Sequence, residues 1–338
     1  MFYLLLAPLV LILGCFIFKR FILELFFLPM RGKWVFITGC DSGFGHDLAL
    51  HLLAKHVNVV AGCYTDQGRS QLEKATSEMD FHGILQAISL DITSEDSMDT
   101  ALALVKSELA HSGGLLWGVV SNAGGFSTVG PDDWCTTKEY KDSLELNALG
   151  TVRVCHRFVP LLKKSKGRIV IMGSSAGRLH GQFLGPYCTA KFAVTAYSDC
   201  LRLELRKFGV SVHILEPGAF KTDLFNEEKQ NARIWRKLHA EVKEEYGAVF
   251  KDNFKTAWNM GASIIANRNL NWVVKNYTHA LFGRFPRLRY HPGWDAKFIF
   301  IPMSLLPSSW QDSILSLCYR LQPGPSLIPE VLSRREVA

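Results

Sequence analysis

Tyr187 and Lys191, in the stretch "PYCTAK" (186–191), lie four positions apart at the start of an apolar-periodic segment. A helix there puts both on one face. A phenol with an ordinary pKa near ~10 is a poor base at neutral pH. An ammonium fixed one turn away favours the phenolate. Tyr187 could then remove an alcohol proton as hydride leaves the carbinol carbon. Ser174 of "GSSAG", thirteen residues upstream, offers a hydroxyl to hold the substrate oxygen. A Tyr-x-x-x-Lys pair alone is most often a solvated helix face, so its meaning depends on what surrounds it.

The stretch "TGCDSGFG" (38–45) follows a β-branched run and opens a helical one. Gly39, Gly43 and Gly45 permit a tight turn, close approach of backbone to a pyrophosphate, and close packing of helix on strand. Thr38, Asp41, Ser42 and Phe44 share that turn and join the glycines as candidate cofactor contacts. An oxidised nicotinamide ring is cationic and would push Tyr187 the same way as Lys191. No Arg or Lys occurs within 38–45, and Asp41 would repel a 2′-phosphate; Arg69 is the nearest cation beyond the second strand. NAD is therefore favoured over NADP. Asp91 of "SLDIT", with Ile92 beside it, ends the third strand where a carboxylate could accept from an adenine amino group, or simply cap a turn. Asn122, Ala123 and Gly124 of "SNAGG" end the fourth strand with small residues that let a ring or ribose approach.

These groups need elements to position them. Strand patterns recur at 33–39, 57–63, 84–92, 115–124, 167–174 and 210–218, with helical stretches near 44–55, 68–79, 95–110, 138–164 and 188–208. Such alternation with near-continuous apolar strands predicts an α/β fold with a doubly wound parallel sheet. From 219 to about 285 the pattern turns helical and aromatic (Phe220, Phe225, Trp235, Tyr246, Phe250, Phe254, Trp258). Each ring singly suits a core; as a group they suit a substrate lid. "RLRYHPG" reads as one further strand. An apolar segment from 296, broken by Pro302 and Pro307, then leads to a tail from Gln322 that looks loose.

Of 338 residues, 48% are hydrophobic and 20% charged, which excludes a disordered chain; the net charge of +7 is scattered and gives no nucleic-acid footprint. The eight dispersed cysteines read as reduced thiols, and no metal site is expected. The first 18 residues carry no charged side chain, and Lys19 and Arg20 follow. Residues 1–30 are thus expected to anchor the chain in a membrane. Lys19, Arg20, Arg31 and Lys33 would keep the catalytic part cytosolic, while the sequon Asn276-Tyr277-Thr278 leaves a lumenal side open.

Taken in order over about residues 33–225, these elements resemble the short-chain dehydrogenase/reductase superfamily. The resemblance implies a Rossmann-type fold over 31–295, Tyr187 as base, Ser174 as holder of the substrate oxygen and Lys191 on the nicotinamide ribose. It further implies that Asn147 of "LELNALG" supports a proton-relay water, and that Pro217, Gly218 and Thr222 of "EPGAFKT" line the nicotinamide. Gly173 and Ser121 depart from the usual Ser and Asn. "AGCYTDQG", "YCTAKFAVTAYSDCLRLEL" and "RYHPGWDAK" look like the membrane-bound retinol and hydroxysteroid dehydrogenase branch (17β type 6 among it), related to 3-hydroxybutyrate dehydrogenase. That branch implies a lipophilic alcohol as partner, an endoplasmic-reticulum membrane and, for the fold, a homodimer. A small hydroxy acid clamped by Arg178 or Arg233 is the rival substrate, and a non-catalytic cofactor-binding scaffold the rival role.

Overall fold

The computed structural model describes residues 2–79, 81–126, 128–222, 234–321 and 324–337; side chains are described from residue 10 onward, apart from 12, 262 and 334–337. Seven parallel strands, β1 (Trp34–Thr38), β2 (Asn58–Cys63), β3 (Leu85–Ser89), β4 (Leu116–Ser121), β5 (Arg168–Met172), β6 (Ser211–Leu215) and β7 (Arg289–Tyr290), form one sheet. Their order is β3-β2-β1-β4-β5-β6-β7. The order reverses between β1 and β4, and such folds bind ligands beyond the strand carboxyl ends at that point.

Alternate residues of each strand feed two cores, because successive side chains point to opposite faces. Val35 and Ile37 pack with α2 (Gly43–Leu53), while Trp34 and Phe36 face α4 (Glu95–Ser112), α6 (Gly150–Ser165) and α7 (Gly185–Leu205). Helix α3 (Asp66–Ser77) starts on a Thr65 cap and covers the β2–β3 edge. The helix read at 138–164 is two, α5 (Thr137–Ser143) and α6, joined by a π turn at Leu144–Leu149.

The expected lid divides. Helix α9 (Asn271–Phe282) is no lid: Val273, Val274, Tyr277, Ala280 and Leu281 are buried in the first core. Helix α8 (Ala240–Ile265), interrupted at Gly247 (φ 78°), sends Phe250 and Phe254 into a third core around Trp134. Trp235, Tyr246, Phe250 and Phe254 all stand edge-on to the Trp134 ring at 5.3–5.8 Å between centroids. Their aromatic surface is spent on the Trp134 turn, so most of the group is core. Phe225 and Arg233 lie outside the described residues. The tail is also corrected: α11 (Glu330–Val337) packs on α8, and Asn253 donates to the Ser326 carbonyl at 2.9 Å.

At the amino end α1 (Phe2–Phe21) forms, yet among the described residues no helix is long and apolar enough to cross a membrane. The expectation of a spanning anchor therefore finds no support among the described residues. The root of α1 is fixed to the body instead. Glu24, buried, pairs with Arg20 and Arg287 at 2.5 Å each, and His279 Nε2 bonds the Glu24 carbonyl at 3.0 Å. The sequon sits inside α9 with Thr278 buried, so it offers none of the exposed loop that glycosylation requires.

Candidate active site

Strand β5 delivers Ser174 and helix α7 delivers Tyr187 and Lys191. Gly173 is where β5 closes on β6; a Cβ there would stand 2.9 Å from the Leu215 carbonyl, which accounts for the missing serine. Ser174 then caps a short 3-10 turn, its Oγ accepting from Ala176 N–H at 3.1 Å. Gly177 brings that turn onto α7, since a Cβ would come within 2.6 Å of the Lys191 carbonyl. Ser174 and Tyr187 thereby line the same cavity, and the Ser174 hydroxyl favours the ionised form of the phenol. Lys191 lies 5.6 Å from the Tyr187 ring centroid and donates to the Met172 carbonyl at 3.1 Å.

The electrostatics correct the simplest expectation. Burial pushes the Tyr187 phenol up to about 12, opposed only in part by the bond from Ser174. Burial also brings Lys191 down to about 8. Desolvation thus outweighs the lysine's attraction for a phenolate. At neutral pH the phenol thus keeps its proton.

Asn147 sits in the π turn, whose wide spacing frees backbone acceptors. Its Nδ2 donates to the carbonyls of Gly125 (2.9 Å) and Ser143 (3.1 Å), and its Oδ1 accepts from Gly125 N–H (3.1 Å). Its own carbonyl accepts from Thr151 Oγ1 at 2.8 Å. A Cβ on Gly124 would stand 2.7 Å from Asn147 Oδ1 and 3.5 Å from Lys191 Nζ, so only a glycine lets the three meet.

The glycine turn is locked from β4. Asn122 Nδ2 donates to the carbonyls of Thr38 and Gly39 at 3.0 Å, and Thr38 Oγ1 accepts from the Asn122 and Ala123 amides. Tyr277 from α9 donates to Asn122 Oδ1 at 3.0 Å and so fixes which way the amide faces. Gly45 allows α2 to rest on the Gly39 carbonyl, which a Cβ would overlap. Gly43 (φ 62°) would meet nothing nearer than Thr222 Cγ2 at 3.5 Å, leaving an open wall. Asp41 accepts from the Tyr64 and Thr65 amides and from Thr65 Oγ1 at 2.7–2.8 Å. Asp91 Oδ1 accepts from Thr93 N–H and Thr93 Oγ1, the turn role allowed for at the outset. Ser121 Oγ donates to Thr151 Oγ1 at 3.3 Å, inside the strand support.

One cavity of about 1310 Å³ joins these groups. It runs from Asp41, Tyr64 and Asp91, past Gly39, Ser42, Gly43, Phe44, Ile92, Asn122, Ala123 and Gly124, to Ser174, Tyr187, Lys191, Pro217, Gly218 and Thr222. Thr38, Gly45 and Asn147 stand behind the wall rather than in it. This space exceeds the ~300–1,000 Å³ of ordinary small-molecule pockets, and its open glycine wall and small residues fit a dinucleotide with room beyond. Among the described residues its basic lining residues are His180 and Lys191; Arg69 pairs with Asp66 at 3.1 Å.

Beyond Tyr187 the walls are apolar: Leu179, Leu184, Trp258, Ile265, Phe300 and Met303. Sequence reasoning missed two contributors. Phe126 lays its ring 4.3 Å from that of Tyr187. Helix α10 (Ser308–Leu321) adds Ile314, Leu315 and Tyr319. Asp312 meets His180 at 3.2 Å and latches that helix down. The amphipathic spacing of α10 was the one available signal. Arg178 does not line the cavity.

Comparison with known proteins adds the family. A model of the short chain dehydrogenase family matches residues 33–233. A 3beta-hydroxysteroid dehydrogenase of Caenorhabditis elegans is 55% identical over 325 residues, covering 95% of this chain and 84% of that one. A 17-beta-hydroxysteroid dehydrogenase type 6 of Bos taurus is 40% identical over 301 residues (88% and 91%), and retinol dehydrogenase 7 of Rattus norvegicus is 39% identical over 289 (85% and 88%). Among solved structures, a short-chain dehydrogenase from Streptomyces avermitilis matches with a TM-score of 0.61 at 25% identity, over 90% of this chain and 98% of that one.

Proposed function

The chain belongs to the short-chain dehydrogenase family and is an oxidoreductase of CH–OH groups, and from that premise we propose that it interconverts a lipophilic alcohol, a hydroxysteroid or retinol, with its ketone or aldehyde. The observation that carries this reading is that Ser174, Tyr187 and Lys191 share one cavity with Leu179, Leu184, Trp258, Ile265, Phe300 and Met303. Of the two cations offered as a carboxylate clamp, Arg178 stands outside the wall and Arg233 lies outside the described residues.

The nicotinamide of the bound dinucleotide supplies the hydride acceptor or donor. Ser174 holds the substrate oxygen by hydrogen bond, and Tyr187 moves the proton at that same oxygen. Lys191, with its ammonium fixed by the Met172 carbonyl, binds the ribose and biases the phenol's proton. The acceptor-rich Asp41 end, without a basic lining residue, favours NAD over NADP.

The test is NADH production with a panel of 3- and 17-hydroxysteroids, retinols and 3-hydroxybutyrate. Turnover of a lipophilic alcohol is expected, falling at least ~10²-fold in Tyr187→Phe, the usual scale of lost acid–base catalysis. Turnover of 3-hydroxybutyrate alone would overturn the substrate class.

Lipid contact belongs to the same reading. Phe16, Phe18, Phe21, Phe26 and Phe27 are exposed beside Lys19 and Arg20, a composition suited to an anionic interface. Flotation of the protein with phosphatidylserine vesicles, lost when these five become serine, is expected; flotation unchanged in that variant would sink the idea.

A further inference from the structure

The "GWDAK" stretch (293–297) belongs to the resemblance noted in the sequence, but no chemistry was attached to it. The structure gives Asp295 of that stretch an unusual position. It is 1% exposed, yet Oδ1 has no hydrogen-bond partner among the described residues; Oδ2 accepts from Ala219 N–H at 2.6 Å. The carboxylate fills space left by two glycines: a Cβ on Gly218 or on Gly293 (φ 101°) would overlap it. Asp295 itself lines the cavity, next to Pro217, Gly218 and Ala219. A buried carboxylate with one oxygen unsatisfied is costly, and nothing in the local packing requires the charge.

The turn that Asp295 grips is the one following β6. Gly218 N–H bonds the Pro292 carbonyl at 3.0 Å, and the Pro217 carbonyl accepts from Ser175 N–H at 2.9 Å. The 217–219 turn is thus suspended between the Ser174 loop on one side and residues 292–295 on the other. A shift of Asp295 moves Ala219 directly and Ser175 through Pro217.

Resting on the dinucleotide reading above, we propose that Asp295 is a positioning residue that holds the 217–219 turn at the depth the nicotinamide half of the cofactor requires. It acts through Ala219 N–H and does not touch the adenosine half, whose walls are Asp41, Tyr64 and Asp91.

Binding measurements separate this from a general loss of structure. NADH and ADP-ribose, which lacks the nicotinamide, are titrated by calorimetry against the intact chain, Asp295→Ala and Asp295→Asn. Asp295→Ala is expected to weaken NADH about tenfold or more while leaving ADP-ribose within about twofold. Asp295→Asn keeps an acceptor for Ala219 N–H and should restore NADH to within about threefold of the intact chain. Equal losses for both ligands, or unaltered NADH binding in Asp295→Ala, would overturn the proposal. Failure of the intact chain to bind either ligand would instead sink the dinucleotide reading.

Discussion

At Tyr187 two opposing effects meet, and burial wins over the neighbouring ammonium. The pH dependence follows from the signs. With the phenol up at about 12, Tyr187 keeps its proton throughout the neutral range and, in the role proposed for it, would supply it to a carbonyl. Carbonyl reduction should therefore hold its rate from about pH 6 to 7.5, whereas alcohol oxidation should climb with pH as more phenolate forms. Initial rates in both directions would check this; oxidation independent of pH would refute it. Asn122 offers a second residue-scale test. Tyr277→Phe leaves Asn122 Oδ1 without its donor, at a cost of about 1–3 kcal/mol for an unsatisfied buried acceptor. Denaturant midpoint and NADH affinity should fall together. Tyr187, Lys191 and Ser174 were legible because each belongs to a spaced pattern. Tyr277 was not, since it lies 155 positions from Asn122 and its helix reads as ordinary core.

Among elements, β6 carries an acid-sensitive group. Burial takes His213 down to about 3, and His291 beyond β7 down to about 4. Both are bases whose folded pKa is depressed. As pH falls below about 6.5, the unfolded chain binds protons that the native one refuses, so stability drops. His213→Asn should flatten that drop by about 1–2 kcal/mol between pH 7 and 5, read from urea midpoints; an unchanged slope would count against it. The strands of 33–218 could be read directly because each is a contiguous apolar run. The π turn could not, for "LELNALG" has the spacing of a plain helix. The aromatic stretch misled because ring spacing is the same for a lid and a core; Trp134, which recruits those rings, lies about a hundred residues upstream.

Taken whole, the molecule builds the apolar end of its cavity with segments from distant parts of the chain: the loop after β4, the turn after β5, the end of α8, residues 300–303, and α10. Leu315→Arg should raise KM for the lipophilic alcohol at least about tenfold, since a charge then meets an apolar wall, and leave KM for the cofactor unchanged. Parallel increases in both constants would contradict this division. The sequence showed α10 as an apolar stretch broken by prolines, but its packing depends on His180 and Gln182, more than a hundred residues away.

The anchorage of Glu24 carries a consequence for synthesis. Its partners are His279 and Arg287, 255 and 263 positions later. On the ribosome, the apolar helix emerges long before the arginine that completes its docking. Loops that long close slowly. The nascent helix must therefore wait through at least 255 further residues without its final seat, and a chain stopped before residue 279 would never provide one.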